Sequence, residues 1–125
     1  MKTIVIIDDE FGLADVLSAT LAGAGFRVQV ASNGAQGLAL LGEHAPDLVI
    51  LDYMMPVLDG PGVLCAMQVD ERFARIPVLM ISSLPESSVR ARCAGYAAFL
   101  RKPFAFEVVL EAVEKALCPA ARSAL

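Results

Sequence analysis

A chain of 125 residues with 57% hydrophobic and 19% charged residues suits a single packed domain and excludes a disordered segment. Its net charge of −4 offers no attraction to nucleic-acid phosphates or anionic lipid surfaces, so no direct nucleic-acid contact is expected. The apolar runs at residues 4–7 and 48–51 are of strand length, far short of the roughly 20 residues a membrane helix requires.

The first run, residues 3–7, is β-branched and ends on Asp8, Asp9 and Glu10 instead of a small-residue cleavage site, so no secretory signal, no membrane attachment and a cytoplasmic location are expected. Residues 11–24 carry Leu13, Val16, Leu17, Thr20 and Leu21 at helical spacing, with Gly23 and Gly25 marking the end. Residues 27–30 form a short strand. Ser32 or Asn33 can cap a helix over 35–43, which stops before Pro46. Residues 48–51 are a buried strand leading into Asp52. A loop with Pro56, Asp59 and Gly60 follows, then a helix over 62–69, a strand at 77–81, a helix at 86–94 and a brief strand at 98–100. The last helix, 106–117, has the stripe Phe106, Leu110, Val113 and Leu117. Residues 1–118 make the domain and 119–125 a tail.

Strict alternation of five strands and five helices predicts an α/β fold, a doubly wound parallel sheet covered on both faces. Right-handed crossovers leave few topologies, and the flavodoxin-like strand order 2-1-3-4-5 is expected. In such a sheet ligands bind beyond the carboxyl ends of the strands. Those ends carry Asp8 and Asp9, Asp52, Ser82 and Ser83, and Lys102. Carboxylates gathered there repel at about 4 kcal/mol per pair, for 4 Å and an effective dielectric near 20. Mg²⁺ suits such an all-oxygen site, and Lys102 adds a second positive charge. An acid beside a divalent cation, an ammonium and a hydroxyl has the parts to accept a phosphoryl group. Each residue alone has a plainer account. Asp8 and Asp9 can cap the first helix, Asp52 can be a loop acid, Ser82 and Ser83 can cap the fourth helix, and Lys102 can be solvated. Their joint occurrence at four strand ends favours function.

The stretches Ile6-Ile7-Asp8-Asp9-Glu10, Asp52-Tyr53-Met54-Met55-Pro56-Val57-Leu58-Asp59-Gly60 and Arg101-Lys102-Pro103-Phe104 resemble the receiver domains of response regulators, in order and spacing along the whole chain. The resemblance implies that Asp52 is the phosphoacceptor. Asp9 then ligates Mg²⁺ directly, Asp8 acts mostly through metal-bound water, and the backbone carbonyl of Met54 completes the protein's ligands. Ser82 matches the switch hydroxyl, where many receivers have Thr. Lys102 matches the phosphate-binding lysine, with Pro103 after a cis bond, and Phe99 the aromatic switch position, though Phe99 also suits an ordinary core. The segment between Ser82 and Gly95 is about two residues shorter than in chemotaxis-type regulators and contains Pro85, so a short or displaced fourth helix is expected.

The resemblance further implies transfer from a phosphohistidine of a histidine kinase or a histidine phosphotransfer protein. The chain's own His44 lacks kinase motifs and reads as a surface residue. On that resemblance the domain is expected to be a phosphoacceptor switch in a two-component phosphorelay, catalysing only its own phosphorylation and dephosphorylation. Output is expected through the face of the fourth helix, fifth strand and fifth helix, where Val89, Cys93, Tyr96, Val108 and Ala112 offer apolar surface to an output partner or a second copy in a homodimer, although core packing can claim several of them. Two other readings stand beside it. A haloacid-dehalogenase-type phosphatase wants an Asp where Met54 stands, and a degenerate receiver would lack chemical positions that are all filled here. No effector domain is visible, which suits a stand-alone regulator, a phosphorelay adaptor, or a receiver from a larger response regulator or hybrid kinase. Cys65, Cys93 and Cys118 form no CxxC pair and read as reduced thiols.

Overall fold

The computed structural model describes residues 1–118; the expected tail, 119–125, lies outside the described residues. The elements alternate throughout: β1 (Thr3–Ile7), α1 (Phe11–Gly23), β2 (Arg27–Ala31), α2 (Gly34–His44), β3 (Leu48–Asp52), α3 (Gly60–Gln68), β4 (Val78–Ser82), α4 (Glu86–Arg90), β5 (Ala98–Arg101) and α5 (Phe106–Leu117). The five strands form one parallel sheet in the order β2-β1-β3-β4-β5, as the alternation predicts.

Side chains alternate across a strand, so each central strand supplies two rows. Val5, Ile7, Val49, Leu51, Val78 and Met80 face one core, with Leu41 of α2, Val63 and Met67 of α3, and Val89 of α4. Ile4, Ile6, Leu48, Ile50, Leu79 and Ile81 face the other, with Ala14, Leu17 and Leu21 of α1 and Val109 and Val113 of α5. Burying each large aliphatic stabilises the fold by about 1.5–3 kcal/mol. That outweighs the weak propensity of α2, whose three glycines cost about 1 kcal/mol each relative to alanine. Gly37 is needed there by contact: a Cβ on it would lie 2.5 Å from Ile7 Cδ1.

Several element details differ from the sequence expectation. The buried face of α1 is Ala14, Leu17 and Leu21; Val16 is exposed, because it sits one step, about 100°, round the helix from Leu17. Thr20 is half-buried and donates its hydroxyl to the Val16 carbonyl at 2.8 Å. Asn33, one of the two proposed caps, accepts from Gln36 N–H and starts α2. α3 begins two residues early, since Asp59 accepts from Gly62 N–H at 2.9 Å and Pro61 suits a first turn. The buried line of α5 runs through Val109 and Val113, with Phe106, Leu110 and Leu117 half-buried beside it. The fourth helix is five residues long and stops at Arg90, not Ala94. Among the described residues no helix is long and apolar enough to cross a membrane.

Candidate functional site

Register creates the site. Ile7 of β1 pairs with Leu51 of β3, so one step further Asp8 stands opposite Asp52 on neighbouring parallel strands. Both continue the even-numbered row, and both are buried, with 1% and 4% of their surfaces exposed. Asp9 is exposed just beyond β1. One carboxylate oxygen from each of Asp8, Asp9 and Asp52 lies within 4.8 Å of the others. Asp8 Oδ1 accepts from Glu10 N–H at 2.9 Å, whereas its buried Oδ2 has no hydrogen-bond partner among the described residues. Asp52 Oδ1 accepts from Met54 N–H at a long 3.4 Å. The β3–α3 turn wraps so tightly that a Cβ on Gly60 would lie 2.6 Å from the Asp52 carbonyl oxygen.

From β5 comes the cation. Lys102 N–H donates to the Ser82 carbonyl at 2.7 Å, joining the ends of β4 and β5, and the Lys102–Pro103 bond is cis as expected. Lys102 Nζ lies 3.6 Å from Asp52 Oδ1, 3.6 Å from Asp8 Oδ2 and 3.2 Å from Glu10 Oε1. Ser82 is buried, and its Oγ accepts from Leu84 N–H at 3.0 Å, which leaves the hydroxyl proton free to donate elsewhere.

The electrostatics follow from this crowding. Burial, then the Asp8 charge, push the Asp52 carboxyl up to about 7, against the opposing pull of Lys102. Burial draws the Lys102 ammonium down, but Asp52, Asp8 and Glu10 together outweigh it and the group stays protonated above its ordinary range. Three clustered carboxylates, one with a buried oxygen that accepts no hydrogen bond among the described residues, are the donor set of a hard divalent cation. The fit to a metal is good.

Asp8, Asp9, Asp52, Met54, Ser82 and Lys102 thus gather at one sheet edge, as the sequence implied. Phe99 lies apart from the acids, half-buried on β5, its ring centroid 6.2 Å from that of Tyr96. The apolar surface expected beside it is smaller than the sequence suggested. Val89 is fully buried because the short α4 turns it inward, and Ala112 packs toward the α1 side of the core. Cys93 and Tyr96 are half-buried, and Val108 is exposed. The three cysteines are free thiols and His44 is exposed, as expected.

Three features escaped the sequence reading. Glu10, read only as part of an acidic stretch, is a direct partner of Lys102. Arg92 reaches 3.7 Å from Asp59 across a groove of about 470 Å³ between the acceptor loop and α4. Val57 has a φ of 70°, with Leu58 N–H bonded to the Pro56 carbonyl. The first was signalled by a third acid beside the pair; the second had no local signal. The third lay in a loop whose Asp-Gly ending announced a turn without fixing Val57's backbone.

Residues 4–114 match the family model of the response regulator receiver domain. The chain is 40% identical over 119 residues to the DNA-binding dual master transcriptional regulator RpaA of Synechocystis sp., covering 94% of this chain and 49% of that protein. It is 35% identical over 117 residues to the chemotaxis protein CheY of Bacillus subtilis, covering 91% and 96%. The solved chemotaxis response regulator CheY4 of Vibrio cholerae superimposes with a TM-score of 0.85 at 28% identity, covering 93% of this chain and 98% of that one. The chain belongs to the response regulator receiver family of two-component signal transduction. It spans about half the length of several curated relatives that it matches, RpaA among them. Family membership removes the dehalogenase-type reading.

Proposed function

We propose that this domain, residues 1–118, is a cytoplasmic phosphorylation switch in which Asp52 accepts a phosphoryl group from a phosphohistidine on a histidine kinase or a histidine phosphotransfer protein. The observation that carries the reading is the buried Asp52 carboxylate, ringed by Asp8, Asp9 and Lys102. A carboxylate oxygen of Asp52 forms the new bond to phosphorus as the donor's P–N bond breaks. The electron pair of that bond stays on the departing imidazole nitrogen, and Asp52 becomes an acyl phosphate. Lys102 balances negative charge on the phosphoryl oxygens from the β5 side. Asp8, Asp9, Asp52 and the Met54 carbonyl would hold Mg²⁺, which when bound neutralises charge on the carboxylates and the phosphoryl oxygens. The domain is a phosphoacceptor that serves its own modification and does not turn over a separate substrate.

Ser82 and Phe99 form the switch in this reading. The free hydroxyl proton of Ser82 donates to the phosphoryl group, which draws on the β4–α4 loop through the Leu84 N–H bond. Phe99 follows inward and alters the α4–β5–α5 face, a population shift driven by contacts to the new anion. The altered face binds an output partner or a second copy.

Incubating the chain with acetyl phosphate and Mg²⁺ tests the chemistry. The intact mass is expected to rise by one phosphoryl group, with no rise after chelation or in Asp52→Asn. An Asp52→Asn chain that gains the same mass would defeat the assignment.

A further inference from the structure

Glu10 stands outside the three-acid cluster, yet it makes the shortest contact to Lys102, 3.2 Å against 3.6 Å for Asp8 and Asp52. Only the Glu10 contact is a hydrogen bond. The plain role for this residue is to cap α1, and its side chain does not do so. Its backbone N–H is instead held by Asp8 Oδ1, which fixes the turn and leaves the Glu10 carboxylate free to lie against Lys102.

We propose that Glu10 is a positioning residue: it competes for the Lys102 ammonium and thereby sets how tightly the site grips a phosphoryl group. This rests on the reading of Asp52 as phosphoacceptor. An arriving phosphoryl anion requires a Lys102 donor that Glu10 now holds. Asp8 and Asp52 are buried and cannot be resolvated when the ammonium moves, but the Glu10 side chain is 62% exposed, so water replaces its lost partner at little cost. A cleft of about 200 Å³ lined by Glu10, Leu13, Lys102, Pro103 and Phe104 adjoins the pair and gives the carboxylate room to swing away. Glu10 is therefore the exchangeable partner. It keeps Lys102 ordered in the resting site and weakens the hold on phosphoryl oxygens by the strength of one largely solvated ion pair.

The test uses the full chain with Mg²⁺ and beryllium trifluoride, an anionic stand-in for the phosphoryl group, titrated by calorimetry. Glu10→Gln is expected to bind the fluoride about threefold more tightly than the parent, the size of a partly exposed ion pair. Asp15→Asn, which removes another exposed acid of α1, should leave binding unchanged. Equal or weaker binding by Glu10→Gln overturns the proposal. So does equal tightening in both variants, since that would be general charge and not competition for Lys102. A second readout needs neither metal nor fluoride: ¹⁵N relaxation of the Lys102 ammonium should show greater motion in Glu10→Gln and no change in Asp15→Asn. Unchanged Lys102 motion in Glu10→Gln overturns the positioning role by itself. A parent chain that binds no fluoride, while Lys102 responds as described, overturns the phosphoacceptor reading, and the proposed effect on phosphoryl binding falls with it.

Discussion

The carboxyl ends of β1 and β3 and the edge formed by α4 and β5 belong to the same sheet but are held in different ways. At the first, residues buried on all sides fix the backbone, and two acids are driven into a buried, crowded corner. At the second, a five-residue helix and a half-buried edge strand are flanked by partly exposed side-chain links: Tyr96 Oη, in the loop before β5, donating to Glu86 of α4 at 2.9 Å, Arg90 with Glu86 within α4 at 3.1 Å, and Arg92, just past α4, with the α3 cap Asp59 at 3.7 Å. Tight packing leaves the acids no alternative arrangement, whereas the outer edge can be rearranged at low cost. On the proposed function, the chemistry sits on the rigid part and its readout on the soft part.

The contrast is sharpest in Gly60. Gly60→Ala forces a Cβ into the Asp52–Tyr53 backbone. It should cost about 3 kcal/mol in denaturant unfolding and disturb phosphorylation as well. A loss below about 1 kcal/mol would show the acceptor turn to be softer than described.

Asp52→Asn should move stability in the other direction. In the folded, metal-free chain Asp52 keeps its proton up to about 7, while the unfolded chain releases it near the ordinary value of 3.8. Wild-type stability therefore falls as pH rises from 3.8 toward 7, and the full penalty persists above. With chelator at pH 8 the variant should be more stable by up to about 4 kcal/mol, a gap that closes near pH 4 and narrows when Mg²⁺ is added. A gap independent of pH would contradict the crowded-acid account.

Val57→Gly tests the strained corner of the acceptor loop. A β-branched residue at positive φ costs about 1–2 kcal/mol, and glycine returns part of that through its freer unfolded chain. A net gain of about 1 kcal/mol in thermal unfolding is expected. On the soft edge, Tyr96→Phe removes one hydrogen bond and should cost only about 0.5 kcal/mol. A loss as large as that of Gly60→Ala would erase the distinction between the two regions.

The same division decides what the sequence discloses. β1, β3 and β4 are legible because uniform apolar runs admit only a covered strand, and the polar residues at their ends are then placed by topology alone. Asp8, Asp52, Ser82 and Lys102 could be brought together without coordinates for that reason. Val16 shares helical spacing with the buried line yet faces out, and Val89 falls to the core instead of the surface, because apolar character does not say which side of a helix faces inward; for α4 the answer depended on a length that Pro85 hinted at but did not set. Glu10's link to Lys102 and Arg92's link to Asp59 span elements distant in sequence, and nothing local to either residue encodes the distance.

The most direct test is to locate the modified residue. After incubation with acetyl phosphate and Mg²⁺, borohydride reduction of the acyl phosphate and peptide sequencing should find the reduced side chain at position 52 alone. Modification at Asp8, Asp9 or Asp59, or a fully unmodified chain, would contradict the account.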